Sequence, residues 1–174
     1  VPVDPAWGDW QGYLGAMRKK YRQRARAARK RGAAIEREVL DAQQVRQHAD
    51  TLDALLEPVL ENAEVVLAPP RASTLASMKR ILGPRLQVVL YRHEGVPVGF
   101  AACLCRDDAL EGLLVGLDPE ANRGLKLYQN ILYDFVERAM EAGVPVLELG
   151  RTALEIKSAV GAEPWSYPVW VRNE

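Results

Sequence analysis

The sequence predicts an α/β domain, an α+β arrangement on a mixed sheet, with a basic helix at its amino-terminal end. Three observations carry this. Three strand-like runs, Leu86 to His93, Val96 to Arg106 and Leu110 to Leu117, follow one another with only Glu94-Gly95 and Asp107-Asp108 between them, the mark of an antiparallel meander. A long amphipathic stretch from Asn122 to Ala142 comes next. Behind Gly143, the run Val144 to Leu149 is apolar enough for a strand buried on both faces. A strand, helix, strand unit after a meander makes the sheet mixed, with the long helix on one face.

The remaining elements follow in order. Between Pro5 and Arg31, Trp10, Leu14, Met17, Tyr21, Ala25 and Ala28 recur at helical spacing, and Gly32 supplies a stop. A strand is expected over Ala33 to Leu40. Asp41 with Gln44 forms a capping box for a helix burying Val45, Ala49, Leu52, Leu56 and Val59, interrupted at Pro58. A loop at Pro69-Pro70 precedes a short helix from about Thr74 to Leu82, closed by Gly83-Pro84. The helix over 122–142 should bury Leu125, Tyr128, Ile131, Leu132, Phe135, Val136 and Ala139. A short helix, Ala153 to Val160, ends at Gly161, and Ser166 to Arg172 reads as a last strand.

The chain has 174 residues, 48% hydrophobic and 26% charged, enough for one well-filled core. No apolar run approaches the roughly 20 residues of a membrane span, and nothing resembles a signal peptide. The simplest expectation is a cytoplasmic protein, and the start at Val1 rather than Met suggests a trimmed chain or a fragment. Cys103 and Cys105 would share one strand face without further ligands, and His48 and His93 have no partners at metal spacing, so no metal is expected.

The formal net charge of zero hides an asymmetry. Residues 18–31 hold nine basic groups, whereas residues 32–174 carry 14 basic and 21 acidic ones, a net of −7. Division into a basic helical arm, 1–32, and a single domain, 33–174, follows.

The chemistry concentrates where the strand ending at Leu149 delivers Gly150 and Arg151 onto a helix start. Free backbone N–H groups there favour an anion, and Arg151 can bind a carboxylate or phosphate bidentately. Lys157 adds a second cation further along. Two plainer roles stand beside these: Arg151 pairing with a carboxylate such as Glu148, and Lys157 as a solvated helix residue. Thr152 and Glu155 read as a capping box without catalytic meaning.

Gly150-Arg151-Thr152, Lys157 and Gly161, preceded by Leu127-Tyr128, Ile131-Leu132-Tyr133 and Phe135-Val136, are similar to the carboxyl-terminal motif of FemAB-like (peptidoglycan-recognition) domains of the GNAT superfamily. Lys20-Tyr21-Arg22 and the basic residues through Lys30 resemble the beginning of the same domain. The resemblance implies a GNAT-like acyl-CoA N-acyltransferase fold. It implies transfer of an acetyl, acyl or aminoacyl group to an amine of a small-molecule or cell-wall-precursor-like acceptor. Gly150, Arg151 and Lys157 then form the substrate side.

Typical acetyl-CoA-dependent members cradle pyrophosphate in a loop with several glycines before the long helix. Here Asn122, Arg123, Gly124 and Lys126 occupy that place with one glycine, and their plainer role is a helix cap with flanking charges. They are the expected donor-binding residues, for acetyl-CoA or another acyl-CoA, with aminoacyl-tRNA as the alternative donor. Tyr128, or Tyr91 on the meander, is the expected proton donor to the leaving group, with a place in the core as the plainer role of Tyr128. No convincing general base stands out, although Glu148 or a water held by the strand ends could serve.

The arm at 18–31 has three readings: a helix packed on the domain, a contact for the tRNA of an aminoacyl donor, or a dock for a partner or second domain. Relatives are usually longer, with two such domains. The rival to an enzyme is therefore a GNAT-fold binding or assembly module, as a fragment of a two-domain FemAB-like protein; a homo-oligomer is a separate expectation.

Overall fold

A computed structural model describes residues 1–61, 71–150 and 152–166. The elements are α1 (Trp10–Ala16), α2 (Lys19–Arg31), β1 (Ile35–Leu40), α3 (Ala42–Gln47), α4 (Ala49–Glu61), α5 (Ala72–Leu82), β2 (Leu86–His93), β3 (Val96–Cys105), β4 (Leu110–Leu117), α6 (Pro119–Leu125), α7 (Leu127–Glu141), β5 (Leu147–Glu148) and α8 (Leu154–Ser158). The five strands form one sheet in the order β1-β2-β3-β4-β5. The first four are antiparallel neighbours, and β5 lies parallel to β4. The sheet is mixed, as the sequence predicts.

Alternation in β2 and β3 sends side chains to two cores. Val89, Tyr91, Ala101 and Cys103 join α1, α2 and α7 on one face. Val88, Leu90, Phe100 and Ala102 meet α3, α4 and α5 on the other. Both faces are covered, which explains why these strands read as continuous apolar runs. Burial pushes the Cys103 thiol up to about 11, in keeping with its place in the core.

Five expectations change at element boundaries. The strand expected over Val144 to Leu149 is reduced to Leu147–Glu148, with Glu148 only half-buried. The arm is not one helix from Pro5. A 3-10 turn (Pro5–Trp7) and α1 precede α2, with Met17 and Arg18 extended at ψ 145 between them. Gly12 permits the tight return, since a Cβ there would lie 1.9 Å from the Trp7 carbonyl oxygen. The capping box at Asp41 and Gln44 forms, but the helix turns at His48, while Pro58 is accommodated inside α4. The long helix divides at Lys126, which is left-handed at φ 53 and ψ 42. Thr152 and Glu155 do not form a capping box. Left-handed Ala153 is the N-cap, so Thr152 stands one residue too early and no side chain caps α8. The Pro69-Pro70 loop, Arg151 and the strand expected to Arg172 lie outside the described residues.

An interaction absent from the sequence reading closes the sheet edge. The Val1 ammonium donates to the Leu147 carbonyl at 2.7 Å, the Leu147 N–H donates to the Val1 carbonyl at 2.9 Å, and Pro2 bridges Val146. Among the described residues no helix is long and apolar enough to cross a membrane, and no group of His, Cys, Asp or Glu is placed to hold a metal.

Candidate active site

β4 and β5 pair at only two positions, Leu110 with Leu147 and Glu111 with Glu148. β4 continues to Leu117 while β5 stops. Among the described residues, the β4 edge beyond Glu111 therefore has no partner strand. Because the two strands are parallel, the opening lies at their carboxyl ends, the usual place for ligands in such sheets.

Two features shape this notch. Cys103 pairs with Gly112 and Ala102 with Leu114, leaving Leu113 as an extra residue in β4. Such a bulge bends the strand and leaves a residue outside the ladder. Gly112 admits Phe135 of α7: a Cβ there would stand 3.1 Å from the ring and 3.5 Å from the Glu148 carbonyl oxygen.

On the β5 side, Gly150 is exposed and left-handed at φ 70, opening the backbone just past the strand. Lys157 is only 5% exposed, in contrast to a solvated helix residue. Burial lowers its pKa, and among the described residues it has no ion pair with a carboxylate. An ammonium in that position gains most from an anion brought to it.

On the β4 side, Asp118 accepts from the Ala121 N–H at 2.7 Å and starts α6. Asn122 Oδ1 accepts from the Tyr128 N–H at 2.9 Å, so its side chain caps α7 across the break. Arg123 is exposed, with Glu120 at 3.4 Å. Gly124 is exposed and has open space where a Cβ would stand. Lys126 forms the left-handed junction. These four residues are thus contiguous around the α6–α7 break, two as structural joints and two at the surface.

Of the phenols, Tyr128 is half-buried, with its pKa raised by burial. Tyr91 is fully buried against the Arg37 guanidinium, and burial followed by the Asp134 charge raises it well above its ordinary value. Closed inside the core, Tyr91 cannot reach the notch as a proton donor. Glu148 is bound to Arg106 at 3.1 Å, and Arg106 also holds Glu111 at 3.0 Å. That guanidinium ties both carboxylates together across the β4–β5 pair.

Sequence reasoning missed the polar residues on the buried flank of α7. Asn130, fully buried, donates to the carbonyls of Ala28 at 3.0 Å and of Leu125 and Lys126 at 3.1 Å. Asp134 receives Arg29 at 2.5 Å and Arg37 at 2.8 Å, and Arg29 also reaches Glu137 and the Trp10 ring. The available signal was Asn130 and Asp134 four residues apart among the apolar positions of α7, together with an arginine-rich helix to pair with.

Residues 15–165 match the family described as acetyltransferase (GNAT) domain. No curated protein matches the sequence. Among solved structures, an acetyltransferase of Trypanosoma brucei is 19% identical, with 80% of this chain and 99% of that one covered at a TM-score of 0.56. A predicted acetyltransferase from Clostridium acetobutylicum, crystallised with acetyl-CoA, is 12% identical, with coverage of 79% and 96% and a TM-score of 0.62. An aminoglycoside acetyltransferase from an uncultured soil metagenomic sample, in complex with sisomicin, is 16% identical, with coverage of 82% and 98% and a TM-score of 0.57. These likenesses establish a shared fold, and the match over residues 15–165 establishes that the chain belongs to the GNAT acetyltransferase domain family.

Proposed function

We propose that this protein is an N-acyltransferase of the FemAB-like branch, moving an acyl group from an acyl-CoA to an amine on an anionic acceptor. The observation that carries the reading is the parting of β4 and β5 after two residue pairs, with the start of α7 beside the far end of β4. An acyl carbonyl laid along the free β4 edge can be held by strand amides while an amine approaches from the β5 side.

Transfer forms a C–N bond and breaks the thioester C–S bond. The amine would lose one proton to solvent, and Tyr128, whose raised pKa keeps it protonated, would give one to the departing thiolate and regain one from solvent. Gly150, Arg151 and Lys157 serve the acceptor, the last two as cations for its negative group. On the donor side, Arg123 and Lys126 offer charge and Gly124 offers open backbone, which fits phosphate held mainly by side chains. Asn122 supports that end as a cap. An aminoacyl ester on tRNA is the alternative donor, and a cell-wall-precursor-like amine suits the cationic acceptor side.

The use of Asn122 as a joint, with one glycine in the connection, favours a second reading as a binding or assembly module. Thermal-shift titration with acetyl-CoA, CoA and aminoacyl-tRNA separates the two. Stabilisation by a donor, with turnover lost in Arg151→Ala and Lys157→Ala, supports the enzyme. No stabilisation by any donor supports the module.

A further inference from the structure

α2 divides its basic residues between two tasks. Arg29 turns inward to Asp134 and Glu137. Arg24 and Arg31 instead flank a crevice of about 400 Å³ between α2 and the start of α7, whose other lining residues are Ala27, Ala28, Lys126 and Gln129. Seven residues separate the two arginines, so they share one face about 10 Å apart along the axis. The two alanines keep the floor between them low.

Among the described residues, none of Arg24, Arg31 and Lys126 forms an ion pair with a carboxylate. Three like charges converging on one concavity repel one another until an anion enters. Guanidinium forks and an ammonium suit phosphate oxygens, and the Gln129 amide can serve a neighbouring hydroxyl. The volume falls in the range of roughly 300–1,000 Å³ typical of small-ligand sites.

The crevice lies on a different flank of α7 from the β4–β5 notch. Asn130 and Asp134 turn one flank to α2, whereas Phe135 turns toward Gly112 and β5. We propose that the α2–α7 crevice is a binding site for the phosphate group of a small phosphorylated ligand, held by Arg24, Arg31 and Lys126. The site shares Lys126 with the donor side proposed above, whereas Arg24 and Arg31 belong to the crevice alone, so the test is made on those two. Its occupancy would be felt at the α6–α7 break, because Asn130 joins the Ala28, Leu125 and Lys126 carbonyls.

The test is calorimetric titration of the whole chain with inorganic pyrophosphate, adenosine 3′,5′-bisphosphate and a short single-stranded RNA. Arg24→Ala/Arg31→Ala is compared with Lys19→Ala/Arg26→Ala, which removes two exposed charges from the opposite face of α2. Pyrophosphate should bind the unaltered chain, and the first pair should weaken it by roughly tenfold or more per arginine while the second leaves it nearly unchanged. Competition between the bisphosphate and pyrophosphate identifies a nucleotide as the source of the phosphate, and its absence identifies a ligand without that moiety. Equal loss in both pairs, or binding of RNA with no binding of either small phosphate, overturns the proposal.

Discussion

Asn130 of α7 donates to the backbone carbonyl of Ala28 in α2 at 3.0 Å, and the same amide group also holds the carbonyls at the α6–α7 break. One buried side chain thus fixes the basic helix and the start of α7 together. A Cβ on Gly32 would stand 2.4 Å from that amide nitrogen. The glycine that ends α2 is needed for close approach, its φ of −89 being open to other residues.

Asn130→Leu should therefore cost about 1–3 kcal/mol, through buried carbonyls left without a donor. Gly32→Ala should cost a similar amount through overpacking, about 1–3 kcal/mol. Urea denaturation of both variants and their combination measures the coupling. Strict additivity would show that the contact carries no energy.

Asp134 stands between two arginines with its side chain 6% exposed. Asp134→Ala leaves Arg29 and Arg37 partly buried without that counter-charge, so the loss should be about 3–5 kcal/mol. Chemical denaturation reads it directly. A loss below about 1 kcal/mol, the range of exposed pairs, would remove Asp134 as the joint between α2, β1 and α7.

Burial lowers the Lys157 pKa from 10.5, so the unfolded chain binds more protons there than the folded one. The penalty is complete below the folded pKa and disappears as pH rises through the window from that value to 10.5. Lys157→Met should raise the melting temperature at neutral pH by about 2–4 °C per kcal/mol of penalty removed, and should flatten the alkaline part of the stability profile. Acyl transfer should fall in the same variant. A melting temperature unchanged from pH 7 to pH 10 relative to the parent would show that the charge is not confined.

Tyr128→Phe removes the phenol but keeps the backbone N–H that Asn122 accepts. Turnover should fall by about 10²–10⁴-fold with the melting temperature nearly unchanged. Since burial raises the Tyr128 pKa above 10.0, the parent should hold its proton-donor activity through that pH. Equal turnover in the variant would remove Tyr128 from the chemistry.

The resemblance of its motifs pointed to the GNAT superfamily, and the sequence by itself determined the meander and the mixed sheet. Local alternation, turn residues and apolar runs encode those directly, and β2 and β4 begin and end where the sequence predicts, at Leu86–His93 and Leu110–Leu117. It also identified the Asp41–Gln44 cap, whose geometry involves only four consecutive residues. Only the tertiary structure decided where helices break, because Asn122 and Asn130 satisfy backbone groups across the Lys126 junction through contacts no periodicity contains. The tertiary structure also divided α2 into Arg29, paired inside, and Arg24 and Arg31, facing the crevice. Burial is set by what packs against a residue from elsewhere in the chain, so Lys157 became a confined cation and Tyr91 a core residue although neither stands out in composition.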